Sequence, residues 1–198
     1  MKNRKTLATV ATLLGAAAPA LLAHAEDVKE EVLVTASRVE QTAGTLPLSW
    51  SSVDQQAIDL TGHVHINELM QQVPGAWITR GNGQESLPSL RSPVLTGAGS
   101  CGAFYMAADS IALRAPGFCN INQLFDANTE QAGRIEVIKG PGTASYGSNA
   151  MHGVINVLSQ APAAELDHRI AVEAGPYDYY RARYRYSRTD GDHGILSL

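Results

Sequence analysis

Apolar positions in the middle of the chain come in short runs broken by Gly, Pro and Asn, which predicts short elements joined by long turns. Leu46 to Val53 can form a strand. Asp54 then caps a short helix, Gln55 to Leu60, that Gly62 stops. A second short helix fits Ile66 to Gln72 and ends at Val73-Pro74-Gly75, because proline disfavours helix at the residue before it. Ala76 to Thr79 is strand-like, and Gly81-Asn82-Gly83 is a turn. Ala103 to Ala107 and Ile111 to Leu113 flank Ala108-Asp109-Ser110 as a hairpin. Asn128 and Gln131 have the spacing of a capping box. Arg134 to Ile138 and Gly153 to Leu158 read as strands. The predicted class is α+β.

After Pro162 the pattern changes to strict alternation. Ile170, Val172 and Ala174 share one face of a strand over His168 to Ala174. On the next strand Tyr180, Ala182, Tyr184 and Tyr186 lie on one face and Arg181, Arg183 and Arg185 on the other. Thr189-Asp190-Gly191-Asp192 is a tight turn, and Gly194 to Leu198 begins a third strand. Two readings fit. An ordinary half-buried hairpin is one; a membrane β-barrel wall, aromatic toward lipid and charged toward a polar lumen, is the other. The barrel reading implies that the chain is a fragment, since so few strands cannot close and an open edge cannot face lipid.

Lys2, Arg4 and Lys5, an Ala/Leu-rich stretch over 7–22, and Ala23-His24-Ala25 make the layout of a signal peptide, residues 1–25. A membrane anchor is the competing reading, though the stretch is alanine-rich, interrupted by Gly and Pro, and short for a span. Removing it takes away three basic and no acidic residues and moves the formal net charge from -4 to -7. Nothing here forms the basic patch that nucleic acid would require. Cys101 and Cys119 lie in the exported part, near the open end of the predicted hairpin, and an even count in an oxidising compartment favours a disulfide. The six histidines form no close ligand cluster, and no nucleophile–base pair suggests an enzyme. No cofactor is implied.

Arg134 to Asn156 holds four glycines between two strands, which raises the question of a phosphate loop. Gly140-Pro141-Gly142-Thr143-Ala144-Ser145-Tyr146-Gly147 lacks the Gly-Lys-Ser/Thr ending, Lys139 precedes the glycines, and no helix is expected to follow. Close backbone packing is the better reading, since glycine lets another surface approach.

Arg134-Ile135-Glu136-Val137-Ile138-Lys139-Gly140-Pro141, Tyr146-Gly147-Ser148-Asn149-Ala150 and Gly153-Val154-Ile155-Asn156-Val157 closely resemble the plug signature of TonB-dependent outer-membrane receptors. The likeness runs through most of the chain. Glu31, Val32, Leu33, Val34, Thr35 and Ala36 resemble the TonB box. Leu69 to Gly75 resembles the helix–Pro–Gly segment, Leu90-Arg91 the Leu/Ile-Arg-Gly segment, and Phe104 to Leu113 the plug hairpin. The resemblance implies a plug threaded into a barrel of about 22 strands. It also implies energy-dependent import of a scarce ligand such as a ferric siderophore, haem or cobalamin.

On this resemblance the chain divides into the signal peptide, an arm with the TonB box over 26–44, a plug over 45–162 and the first strands of a truncated outer-membrane barrel over 163–198. Its partners would be the periplasmic domain of TonB, outer-membrane lipid and a small imported ligand. The TonB box would add as a strand to TonB's sheet edge. Ligand would meet the outer turns, Arg80, Gly81, Asn82, Gly83 and Gln84, and Arg114, Ala115, Pro116, Gly117 and Phe118. Arg91, Glu136, Lys139, Gly140, Pro141, Tyr146 and Gly147 would contact the barrel. With a cut after Ala25, the few residues before Glu31 would leave no room for the extra signalling domain of some family members, so a transporter without that role is expected. The sequence departs from the family in having Ser92-Pro93 after Arg91, Ser110 in the hairpin turn, Lys139 where arginine is common and Asn128 where proline is common. A periplasmic binding module that has lost its barrel is the alternative.

Overall fold

The computed structural model describes residues 32–33, 41–42, 48–81, 83, 86–94, 103–113 and 127–198. Strand β1 (Val32–Leu33) pairs antiparallel with β2 (Gln41–Thr42). The core that follows comprises β3 (Trp50–Asp54), α1 (Gln55–Thr61), α2 (Ile66–Met70), β4 (Ala76–Arg80), β5 (Ser86–Leu90), β6 (Phe104–Ala108), β7 (Ile111–Ala112), β8 (Ala132–Lys139), α3 (Thr143–Tyr146) and β9 (Gly153–Ser159). Three strands complete the described chain: β10 (Asp167–Gly175), β11 (Tyr179–Asp190) and β12 (His193–Ser197).

The central sheet runs β3-β8-β9-β6-β7, with β6 and β9 parallel and the other neighbours antiparallel. Its middle strands β8 and β9 are buried along most of their length because both faces are covered. Ile135, Val137, Ile155 and Val157 pack with Ile58, Leu69, Met70 and Leu90 on one side. Ile138 and Val154 pack with Tyr146, Ala150 and Trp50 on the other. Each such side chain contributes roughly 1.5–3 kcal/mol by leaving water.

Local chemistry explains the helix ends. The Asp54 side chain accepts from the Ala57 amide at 2.8 Å, and Gly62 closes α1 at φ 56°, where its N–H returns to the Ile58 carbonyl. His65 caps α2 through Nδ1, which accepts from the Asn67 amide at 3.1 Å. The Asn128–Gln131 reciprocal bond forms, with the Gln131 amide donating to Asn128 Oδ1 at 3.3 Å. It does not open a helix: the chain goes straight into β8, whose β-branched run is captured between β3 and β9.

Two elements differ from expectation. Strand β5 contains Pro88, paired with Ile78, which is tolerated because, among the described residues, β4 and β5 pair only with each other. A single helical turn, α3, follows Gly142, with the Tyr146 amide bonded to the Gly142 carbonyl at 2.9 Å. The glycine segment is therefore not purely turn and strand.

The last three strands form their own antiparallel sheet, β10-β11-β12. Its faces alternate as expected. Ile170, Val172, Tyr180 and Tyr184 are 74, 76, 77 and 52% exposed, whereas the side chains of Arg181, Arg183 and Arg185 are only 15, 25 and 12% exposed. The arginine face looks toward the central domain.

Candidate functional site

The arm segment reaches the described structure at β1. Val32 opposes Thr42 and Leu33 opposes Gln41, so this part of the expected TonB box takes strand conformation. Glu31, Val34, Thr35 and Ala36 lie outside the described residues.

Of the expected outer turns, Arg80 ends β4 and pairs with Glu68 at 3.7 Å between two exposed side chains. Gly81 is exposed and Gly83 takes φ 75°, as the β4–β5 turn requires. Asn82, Gln84 and Arg114, Ala115, Pro116, Gly117 and Phe118 lie outside the described residues, as do Cys101 and Cys119.

The set assigned to barrel contact divides in two. Arg91, Pro141 and Gly147 are exposed and Gly140 is half-buried. Arg91 adopts φ 51°, its amide bonded to the Gly75 carbonyl at 2.9 Å. Glu136 and Tyr146 instead sit inside. Tyr146 packs against Tyr105 with ring centroids 4.8 Å apart, and Glu136 meets Arg134 at 2.5 Å from a central strand with neighbours on both sides. Lys139 is buried too. Its ammonium donates to Ser51 Oγ at 2.7 Å and to the Pro74 carbonyl at 3.1 Å, tying β8 to β3 and to the α2–β4 turn. Burial, then the nearby Arg91 charge, pushes the Lys139 amine below its usual range.

The glycines mark close approach. A Cβ on Gly153 would lie 2.5 Å from both the Ile138 carbonyl oxygen and Leu90 Cδ1, and one on Gly142 would lie 2.8 Å from Val154 Cγ2. The segment packs against its own domain, and Lys139 points to protein acceptors rather than into the loop. These contacts support the packing reading over a phosphate loop.

Two features escaped sequence reasoning. The Asp109-Ser110 turn, at φ 48° and 65°, is clamped: Asp109 accepts from the Ser159 amide and hydroxyl, and Asn156 Oδ1 accepts from the Ser110 amide. These bonds hold a positive-φ turn without the usual glycine. The other is the arginine face of β11. Arg181 spans from the sheet to the end of α1, and Arg185 reaches Gln160 at 3.3 Å and Asp59 at 3.8 Å. Between this face and the central domain lies a cavity of about 530 Å³ lined by Asp59, Gln160, Arg169 and Arg183 among others. Among the described residues no group of three or more His, Cys, Asp or Glu could hold a metal ion.

Residues 42–154 match the family model described as the TonB-dependent Receptor Plug Domain. The chain belongs to that family. The chain is 28% identical, over 182 residues, to the vitamin B12 transporter BtuB of Vibrio vulnificus, and 27% identical over 179 residues to that of Vibrio cholerae. The first alignment takes in 91% of this chain and 29% of the relative; the second, 88 and 28%. The chain thus spans less than a third of the curated relatives it matches. Among solved structures, the alcaligin outer-membrane receptor FauA of Bordetella pertussis superposes with a TM-score of 0.62 at 20% identity, over 80% of this chain and 26% of that one. The ferripyoverdine receptor of the Pseudomonas aeruginosa outer membrane gives 0.61 at 21%, over 80 and 20%. These establish the fold: a mixed-sheet plug with few helices, as found in TonB-dependent barrel receptors. The expected family and fold class are borne out.

Proposed function

We propose that this chain is the plug and opening wall of an outer-membrane transporter that imports a scarce ligand, with TonB supplying the energy through the arm. One observation carries this reading: a family plug continues into strands that turn apolar side chains outward and an arginine row back onto the plug. That polarity suits a wall between lipid and a polar lumen. We assign residues 1–25 to export, 26–44 to the arm, 45–162 to the plug and 163–198 to the first wall strands. The names of the relatives, vitamin B12 transporter and ferripyoverdine and alcaligin receptors, favour a corrinoid or a ferric siderophore as the ligand class.

In the mechanism, the segment from Glu31 to Ala36 adds as a strand to the periplasmic domain of TonB. Main-chain hydrogen bonds supply the grip. Tension then rearranges part of the plug and opens a path along the wall. Cys101 and Cys119 form a disulfide that fixes the open end of the β6–β7 hairpin. The turns at 80–84 and 114–118 face the ligand.

Leu33→Pro in the full-length protein tests the coupling, because proline removes a ladder donor. Ligand should still bind to whole cells while TonB-dependent uptake is lost. Unchanged uptake would refute strand addition by this segment.

A further inference from the structure

Helix α1 follows β3 without a break, so it is the first helix that tension from the arm would reach. Its apolar side serves the plug core: Ile58 is fully buried, while Leu60 on the other side is 79% exposed. What ties α1 to the β10–β12 sheet is polar. Asp59 pairs with Arg169 and, at 3.8 Å, with Arg185. At the helix end, Arg181 Nη2 donates to the Gly62 carbonyl at 2.5 Å and Nη1 to the His63 carbonyl at 3.0 Å. The same guanidinium meets Glu130 at 3.0 Å and Glu173 through Nε at 3.0 Å and Nη2 at 2.8 Å. The guanidinium thus makes four hydrogen bonds, three of them to the plug, and Nη2 is also in ion-pair range of Glu173. Gly62 itself is required by its left-handed backbone, φ 56°, which turns its carbonyl out of the helix end.

We propose that Arg181 locks the end of α1 to the wall, so that tension entering through the arm is arrested at α1 and passed to the β10–β12 sheet. Residues ahead of Gln55, with β3 stripped from β8, then peel first, while α2 and the β4–β5 ribbon stay folded. A charge-assisted fork suits a lock because it is strong in one geometry and releases as a unit. Its physiological use rests on the pulled-arm reading above, but the lock can be tested without TonB.

Full-length protein in a lipid bilayer is pulled mechanically through a handle fused ahead of Glu31. The wild type should release roughly 80 Å of chain, the extended span from Val32 to Gln55, and then pause. Arg181→Gln should lose the pause and run on into α2 and β4. Arg181→Lys, which keeps the charge but not the fork, should shorten the pause. Arg183 meets Glu173 within the sheet at 2.5 Å, so Arg183→Gln should leave the pause intact. Where Arg181→Gln does not assemble, Arg181→Lys and Asp59→Asn decide. A pause of wild-type length in both Arg181 variants, or one equally lost in Arg183→Gln, overturns the lock. TonB-dependent uptake, scored separately, reports on the functional reading alone.

Discussion

Lowering the pH should loosen the end of helix α1 through His63. His63 is 2% exposed, its Nε2 is 2.9 Å from Thr129 Oγ1, and its backbone carbonyl accepts from Arg181. Burial, opposed by Glu68 and reinforced by Arg181, Arg183 and His65, lowers its pKa from 6.5 to about 4. The folded value lies below the unfolded one, so the unfolded segment binds more protons between those two pH values. Stability is therefore unaffected above pH 6.5, falls as pH drops through the window, and reaches its full loss below about pH 4. The loss amounts to about 3 kcal/mol, a factor of a few hundred in the opening equilibrium. Hydrogen exchange of peptides covering 55–70, corrected for the intrinsic pH dependence of exchange, reads it directly. His63→Gln retains a polar group beside Thr129 but cannot titrate, so its protection should stay flatter over the same range. Equal slopes for His63→Gln and the wild type would refute the reasoning.

Other sites give independent tests. Gly153→Ala should destabilise the central sheet by about 1–3 kcal/mol, because the added methyl meets a backbone carbonyl that cannot move aside; denaturant midpoints measure it. Lys139→Met removes the donor to Ser51 and Pro74 and should cost about 1–3 kcal/mol, seen as faster amide exchange in β3. Val172→Arg places a charge on the outward face of β10 and should lower the yield of membrane-assembled protein, by up to about 2–4 kcal/mol if the site lies near the bilayer midplane. A neutral result there would favour a solvated hairpin.

The fold was legible where one residue type imposed one geometry. Asp54 and Gly62 bounded α1, and the Tyr/Arg alternation gave both faces of β11. The family signature around Lys139 and Gly153 was strong because close packing there leaves no room for a side chain on Gly142 or Gly153. Strand β5 was invisible because Pro88, Ser86 and Ser89 break the β-branched pattern, and only pairing with β4 makes them a strand. Asn128 and Gln131 formed the local bond that their spacing suggested, but tertiary pairing of β8 decided what followed. The burial of Glu136 and Tyr146 depends on which strands lie beside them, which no local motif encodes. The Arg181 contact joins residues more than a hundred positions apart, so composition and periodicity could show an arginine face but not what it holds.

A plug seated in a lipid-embedded wall must reside in the outer membrane. Separation of cell envelopes should find the full-length product in the outer-membrane fraction, resistant to extraction by salt and released by detergent. Recovery of the intact product from the periplasmic extract, with none in the outer membrane, would contradict a plug seated in a lipid-embedded wall.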